Sequence, residues 1–157
     1  MIKQAIILAG GIGTRLRARL GDLPKPMIPI AGKPLLEHQV EMLARQGFTQ
    51  VLIFACYRAD MIAKHFGDGS RWGVDLKIIV EQTPLSTAGA VLAGFDHLAE
   101  EFAVLYGDTM VNVDVRRMER AHARAGADAT LCCDSHRVSG LIKTNVPGFG
   151  NVFRGDF

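Results

Sequence analysis

Cysteine is scarce in this chain. It has three (Cys56, Cys132 and Cys133), an odd number with no CxxC spacing. Cys132 and Cys133 are neighbours, so in a strand they point to opposite faces and cannot easily share a metal. Reduced, buried thiols are expected rather than a disulfide scaffold or a zinc site. Long hydrophobic runs are lacking too. The apolar run Ala5–Ala9 stops at "GGIG", too short for a signal core or a membrane span, and a cytoplasmic chain with no membrane contact is expected. A net charge of +2 is too small to argue for nucleic acid, and at 7% aromatic residues no stacking platform accompanies the basic groups. Two glycine fingerprints are missing. No lysine follows the glycines as a P-loop requires, and after Gly11 and Gly13 position 16 is Leu, which breaks G-x-G-x-x-G. His38, His65, His97, His122 and His136 have no ligand spacing and are assigned no chemistry.

What remains is an ordinary globular composition, 48% hydrophobic and 22% charged over 157 residues, enough for one core. Strand-like runs at 4–9, 50–56, 76–82, 102–108 and 128–133 alternate with helical patterns at 33–47, 60–66, 86–99 and 114–125. Gly47 is the stop of the first helix, and Ser86 and Asp114 are N-caps. Near-continuous apolar strands separated by helices predict a three-layer α/β/α arrangement, a mostly parallel central sheet covered on both faces. Ligands of such sheets lie beyond the carboxyl ends of the strands. "GGIGTR", "EQTPLST" and "GDT" all fall there.

Charge converges on the same place. Residues 15–33 hold Arg15, Arg17, Arg19, Lys25 and Lys33 against Asp22 alone, a local +4, while the rest of the chain sums to −2. Glycines after a strand let backbone N–H groups approach an anion, and Thr14 and Arg15 add donors. From the glycines alone, a ligand-free turn and an anion site are equally well supported; the basic cluster favours the anion. Lys25 stands between Pro24 and Pro26, whose fixed φ presents it rather than leaving it to wander. Asp108, at a strand's carboxyl end facing this loop, is the candidate Mg2+ ligand, with a turn-capping role as its alternative.

"LAGGIGTRLRARLGDLPKPM…GKPLLEHQ", "EQTPLSTAGAVLAG" and "YGDTM" together resemble the sugar-phosphate nucleotidyltransferases (nucleoside-diphosphate-sugar pyrophosphorylases) from residue 3 to about residue 131. With "YRAD" and "FGDGSRWGV", the chain is similar to the branch that guanylylates D-glycero-α-D-manno-heptose 1-phosphate. The resemblance implies a Rossmann-like fold and a reaction in which NTP and a sugar 1-phosphate give an NDP-sugar and pyrophosphate. It implies that Leu8, Ala9, Gly10 and Gly11 meet base and ribose, and that Gly13, Thr14 and Arg15 cradle the departing phosphates. Lys25 would neutralise the α-phosphate and the sugar phosphate, Asp108 would hold Mg2+, and Pro84, Ser86 and Thr87 belong to the nucleotide-binding stretch. Glu81 takes the base-reading position. Its two acceptors match guanine's N1–H and N2–H2, whereas uracil or thymine would set a carbonyl against them, so GTP is favoured.

Two departures accompany the resemblance. Ser86 stands where the family usually has the glycine of "GTAGA", and residues 136–157 read as a divergent tail after a nucleotide-binding domain at 1–135. That tail suggests a shortened or altered C-terminus, in which Lys143 and Asp156 read as tail residues. An active transferase and a nucleotide-binding remnant of one both remain open, as does a homo-oligomer.

Overall fold

The computed structural model describes residues 1–11, 21–83, 85, 87–110 and 112–132, together with the backbone of 141–146 and 150–155. It divides into two compact units, Met1–Val111 and Asn112–Phe157.

In the first unit, β1 (Gln4–Leu8) precedes a 3-10 turn at Lys25–Met27 and a two-rung hairpin, β2 (Pro29–Ile30) with β3 (Lys33–Pro34). Then follow α1 (Leu35–Arg45), β4 (Gln50–Ala55), α2 (Ala59–Phe66), β5 (Asp75–Val80), α3 (Thr87–Ala93) and β6 (Phe102–Tyr106). β1, β4, β5 and β6 form one four-stranded sheet in the order β5-β4-β1-β6, parallel at every pairing. This is the parallel α/β sheet that the apolar runs predict. The central strands are buried on both faces, which is why they lack a polar alternation. Ile6, Leu52 and Phe54 pack with Ala90 of α3 on one side. Ala5, Ile7, Val51 and Ile53 point to the other side and are fully buried. Leu36, Val40 and Leu43 form the apolar stripe of α1 and are fully buried as well. Each large aliphatic side chain so removed from water contributes roughly 1.5–3 kcal/mol.

Two helices are shorter than their sequence reading. α1 starts at Leu35 rather than residue 33, because Lys33 and Pro34 are engaged in the hairpin ladder with Ile30 and Pro29. α3 stops at Ala93, and a separate 3-10 turn covers Phe95–His97. Gly94 lies between them with the Phe54 ring so close that any Cβ there would overlap it.

In the second unit, α4 (Val115–Ala125) opens as read, with the Arg117 N–H donating to Asp114 Oδ1 at 2.9 Å. Asp114 is a cap. The strand expected at 128–133 does not form over 128–132, and Cys133 lies outside the described residues. Its β-formers have no ladder partner among the described residues, and propensity alone does not make a strand. Further on, Leu141–Val146 (β7) and Gly150–Gly155 (β8) pair as an antiparallel hairpin, Leu141 opposite Gly155 and Val146 opposite Gly150.

Candidate active site

The chain leaves β1 toward β4 on one side and later returns to pair β6 on the other, so strand order reverses between β1 and β6. Parallel sheets open their ligand crevices at such a switch point. A cleft of about 250 Å³ lies there, entirely within the first unit. Leu8, Ala9, Gly10 and Gly11 enter it from the end of β1. Glu81, Leu85 and Thr87 enter from the β5–α3 connection, Tyr106 and Asp108 from the end of β6, and Lys25 from the 3-10 turn. The ends of β1 and β6 are tied together, the Gly107 N–H donating to Leu8 O at 2.8 Å.

Lys25 is framed as its prolines suggest. Pro24, Pro26 and Met27 are buried, and the Met27 N–H donates back to Pro24 O at 2.8 Å. From this frame Lys25 Nζ donates to Asp108 Oδ2 at 2.6 Å, and the Thr109 hydroxyl donates to Asp108 Oδ1 at 3.1 Å. The lysine beside it holds the Asp108 carboxyl below its ordinary value, the lysine hydrogen bond being the main cause and the Thr109 hydroxyl helping. Asp108 is therefore an ionised carboxylate at the mouth of the cleft. Both side chains stay partly exposed, at 33% and 44%, so the pair adds little to stability.

Glu81 is the opposite case. Its N–H extends the β5 ladder to Ala55 O at 2.8 Å, while its side chain is only 7% exposed. Oε2 is buried with no hydrogen-bond partner. Burial pushes the carboxyl above its ordinary value, and the Leu85 N–H opposes the shift only in part. Gly10 makes this placement feasible: a Cβ on it would run into Glu81 Oε2, so only the bare backbone can lie against the carboxylate.

The structure thus brings together Leu8, Ala9, Gly10, Gly11, Lys25, Glu81, Thr87 and Asp108. Gly13, Thr14, Arg15, Pro84 and Ser86 lie outside the described residues. No trio of His, Cys, Asp or Glu gathers for a metal among the described residues. Of the described carboxylates that line the cleft, Asp108 is partly exposed and Glu81 is buried.

Three positioning elements went unread in the sequence. Gln39, buried on α1, donates from Nε2 to Tyr106 O at 2.8 Å and to Thr109 O at 2.6 Å. It grips both sides of the turn that carries Asp108. The available signal was a polar residue three positions after Leu36, on the apolar stripe. Tyr106 lines the cleft, its hydroxyl 3.4 Å from Thr87 Oγ1. Within "YRAD", Arg58 makes a fork with Asp60 at 3.1 and 3.2 Å and reaches Asp22, three residues before Lys25, at 3.8 Å.

Residues 4–148 match the nucleotidyl transferase family model. The chain belongs to that family. The resemblance carried by the glycine, proline–lysine and "YGD" motifs is thereby borne out. The chain is 42% identical over 129 residues to D-glycero-alpha-D-manno-heptose 1-phosphate guanylyltransferase of Aneurinibacillus thermoaerophilus, covering 82% of this chain and 56% of that protein. It is 34% identical to mannose-1-phosphate guanylyltransferase of Mycobacterium tuberculosis, over 82% of this chain and 36% of that one. Among solved structures, HddC from Yersinia pseudotuberculosis complexed with GMP-PN superposes with a TM-score of 0.69 at 34% identity, over 77% of this chain and 54% of that one. The chain spans about half the length of the heptose-phosphate relative it matches. Among the described residues, no helix is long and apolar enough to cross a membrane.

Proposed function

We propose that this chain acts in the cytoplasm as a sugar-1-phosphate guanylyltransferase, joining GTP and a heptose or mannose 1-phosphate into a GDP-sugar with release of pyrophosphate. One observation carries the reading: Lys25 and Asp108, 83 residues apart in sequence, meet in the cleft that Gly10 and Glu81 also line. A phosphate oxygen of the sugar phosphate attacks the α-phosphorus of GTP, and the bond from that phosphorus to the pyrophosphate oxygen breaks. Such transfer is mostly positioning and charge neutralisation. Lys25 neutralises the α-phosphate and the incoming phosphate. Gly13, Thr14 and Arg15 hold the departing pyrophosphate. Glu81 accepts from guanine N1–H and N2–H2, which supplies its orphaned oxygen with donors.

Asp108 fits an Mg2+ ligand, being ionised, partly exposed and at the mouth of the cleft. Mg2+ characteristically takes one or two carboxylates and completes its shell with phosphate oxygens and water. When bound it supplies charge neutralisation at those oxygens.

The test is pyrophosphate release by the purified chain with GTP, UTP or dTTP and heptose or mannose 1-phosphate, with Mg2+ and then with a chelator. Release with GTP that the chelator abolishes is the expected result. Saturable GTP binding without pyrophosphate identifies a chain that holds nucleotide but does not complete the transfer. No preference for GTP overturns the guanylyl assignment.

A further inference from the structure

Glu81 is more than nine-tenths buried and lines the cleft with one carboxylate oxygen unpartnered. Such an atom is costly to leave unpaired, so the site is shaped for a donor that arrives with a ligand. The donor pattern it accepts depends on its proton. Ionised, the carboxyl offers two acceptors side by side, the complement of guanine's N1–H and N2–H2. Protonated, it offers one donor and one acceptor, the complement of uracil's or thymine's N3–H and carbonyl. Guanine can then pair only by sliding to its O6 and N1–H edge.

We propose that Glu81 is a proton-gated specificity residue: its ionised form selects guanine, and protonation erodes that preference in favour of uracil or thymine. The inference rests on the base-reading role assigned above. Nothing near Glu81 holds its charge in place among the described residues. From the end of β1 it meets Gly10, which has no side chain. From β4 it meets the Ala55 carbonyl, with Cys56 following. The Leu85 N–H faces it from the loop, and α3 offers only Thr87 and Ala90. Across the cleft stand Tyr106 and the Lys25–Asp108 pair, whose lysine is already committed to the aspartate. Burial also raises the Glu81 carboxyl above its ordinary value.

The triphosphate titrates too, but identically for GTP and UTP, so it cancels from a ratio. The experiment measures the dissociation constants of GTP and UTP for the full chain, by equilibrium dialysis with Mg2+, from about pH 8 to about pH 4, a window that includes the ordinary glutamate range. For one proton on one group, the GTP-over-UTP preference is expected to fall by up to about tenfold per pH unit on the acid side. In Glu81→Gln, whose amide cannot titrate, the preference should be smaller at neutral pH and flat with pH. A flat ratio in the wild type, or an equal slope in Glu81→Gln, overturns the proton gate. If Glu81→Gln keeps the full guanine preference at neutral pH, the base-reading role itself fails, and the gate with it. A chain that binds neither nucleotide at any pH overturns both.

Discussion

Lys25 Nζ rests 2.6 Å from Asp108 Oδ2, so the cation proposed for phosphate and the carboxylate proposed for metal are each other's counter-ion in the ligand-free chain. An arriving metal–nucleotide pair brings opposite charge for each of them, and the ion pair can part without leaving either charge alone.

Replacing Lys25 with Met tests that arrangement. Turnover should fall roughly 10²–10³-fold, the usual cost of removing one donor to a developing charge. Stability should stay within about 1 kcal/mol, because the pair is partly exposed. The Asp108 carboxyl, held low by Lys25, should titrate back toward the ordinary carboxylate range. The direction follows from linkage: a carboxyl lowered by a partner keeps that stabilisation above its ordinary value and loses it as pH falls through the lowered one. Carboxyl NMR titration of wild type against Lys25→Met checks the shift.

Gln39→Leu keeps the volume of a buried side chain and removes both hydrogen bonds to the turn around Asp108. The Thr109 carbonyl loses the Gln39 donor, while the Tyr106 carbonyl keeps the Thr109 N–H at 3.2 Å, and the change should cost roughly 1–3 kcal/mol in denaturant unfolding. Transfer should drop as well, with a weaker response to added Mg2+, although Gln39 touches no substrate. An Mg2+ titration of turnover beside the unfolding curve separates the two effects.

Gly10→Ala and Gly11→Ala form a contrast between adjacent glycines. A Cβ at Gly10 collides with the Glu81 carboxylate, whereas at Gly11 it meets nothing within 4 Å. Gly10→Ala should therefore lower stability by roughly 1–3 kcal/mol, typical of overpacking. It should also weaken GTP more than UTP by displacing the base reader. Gly11→Ala should leave the melting temperature unchanged, and calorimetry on both proteins decides.

Glu81 makes the ligand-free chain less stable as pH rises. Its folded carboxyl sits above the ordinary value, so between the two values the native state holds more proton than the unfolded one. Stability falls with rising pH through that window, and the deficit is complete above it. Glu81→Gln should remove this slope and raise the melting temperature at neutral pH without nucleotide. Saturating GTP should reverse the order, because only the carboxylate takes both guanine donors.

Much of this was legible in the sequence, for identifiable reasons. The sheet could be read because strands buried on both faces must be apolar throughout, as "AIIL" and "VLIFA" are. Lys25 could be read because prolines constrain it locally, and Asp108 because strand ends are where parallel sheets bind. Gln39 could not, since its purpose is two carbonyls 67 and 70 residues away. The depth of Glu81 escaped for the same reason, being set by Gly10 across the sheet. The hairpin at 141–155 was missed because a ladder joins backbone groups, and Leu141–Val146 carries no alternation to betray it.

The position of β1 bears on how the molecule is made. It precedes β4 and β6 in the chain and lies inside the sheet, with Gln4 paired to both Gln50 and Phe102. One edge of β1 waits for β4, and the other stays open until β6 emerges. Loop closures of that length are slow, and an open strand edge is prone to non-native pairing in the interval. Asp108 follows directly after β6. Pairing of β6 thus covers the open edge of β1 and completes the cleft in one step, so a nascent chain stopped short of it has neither.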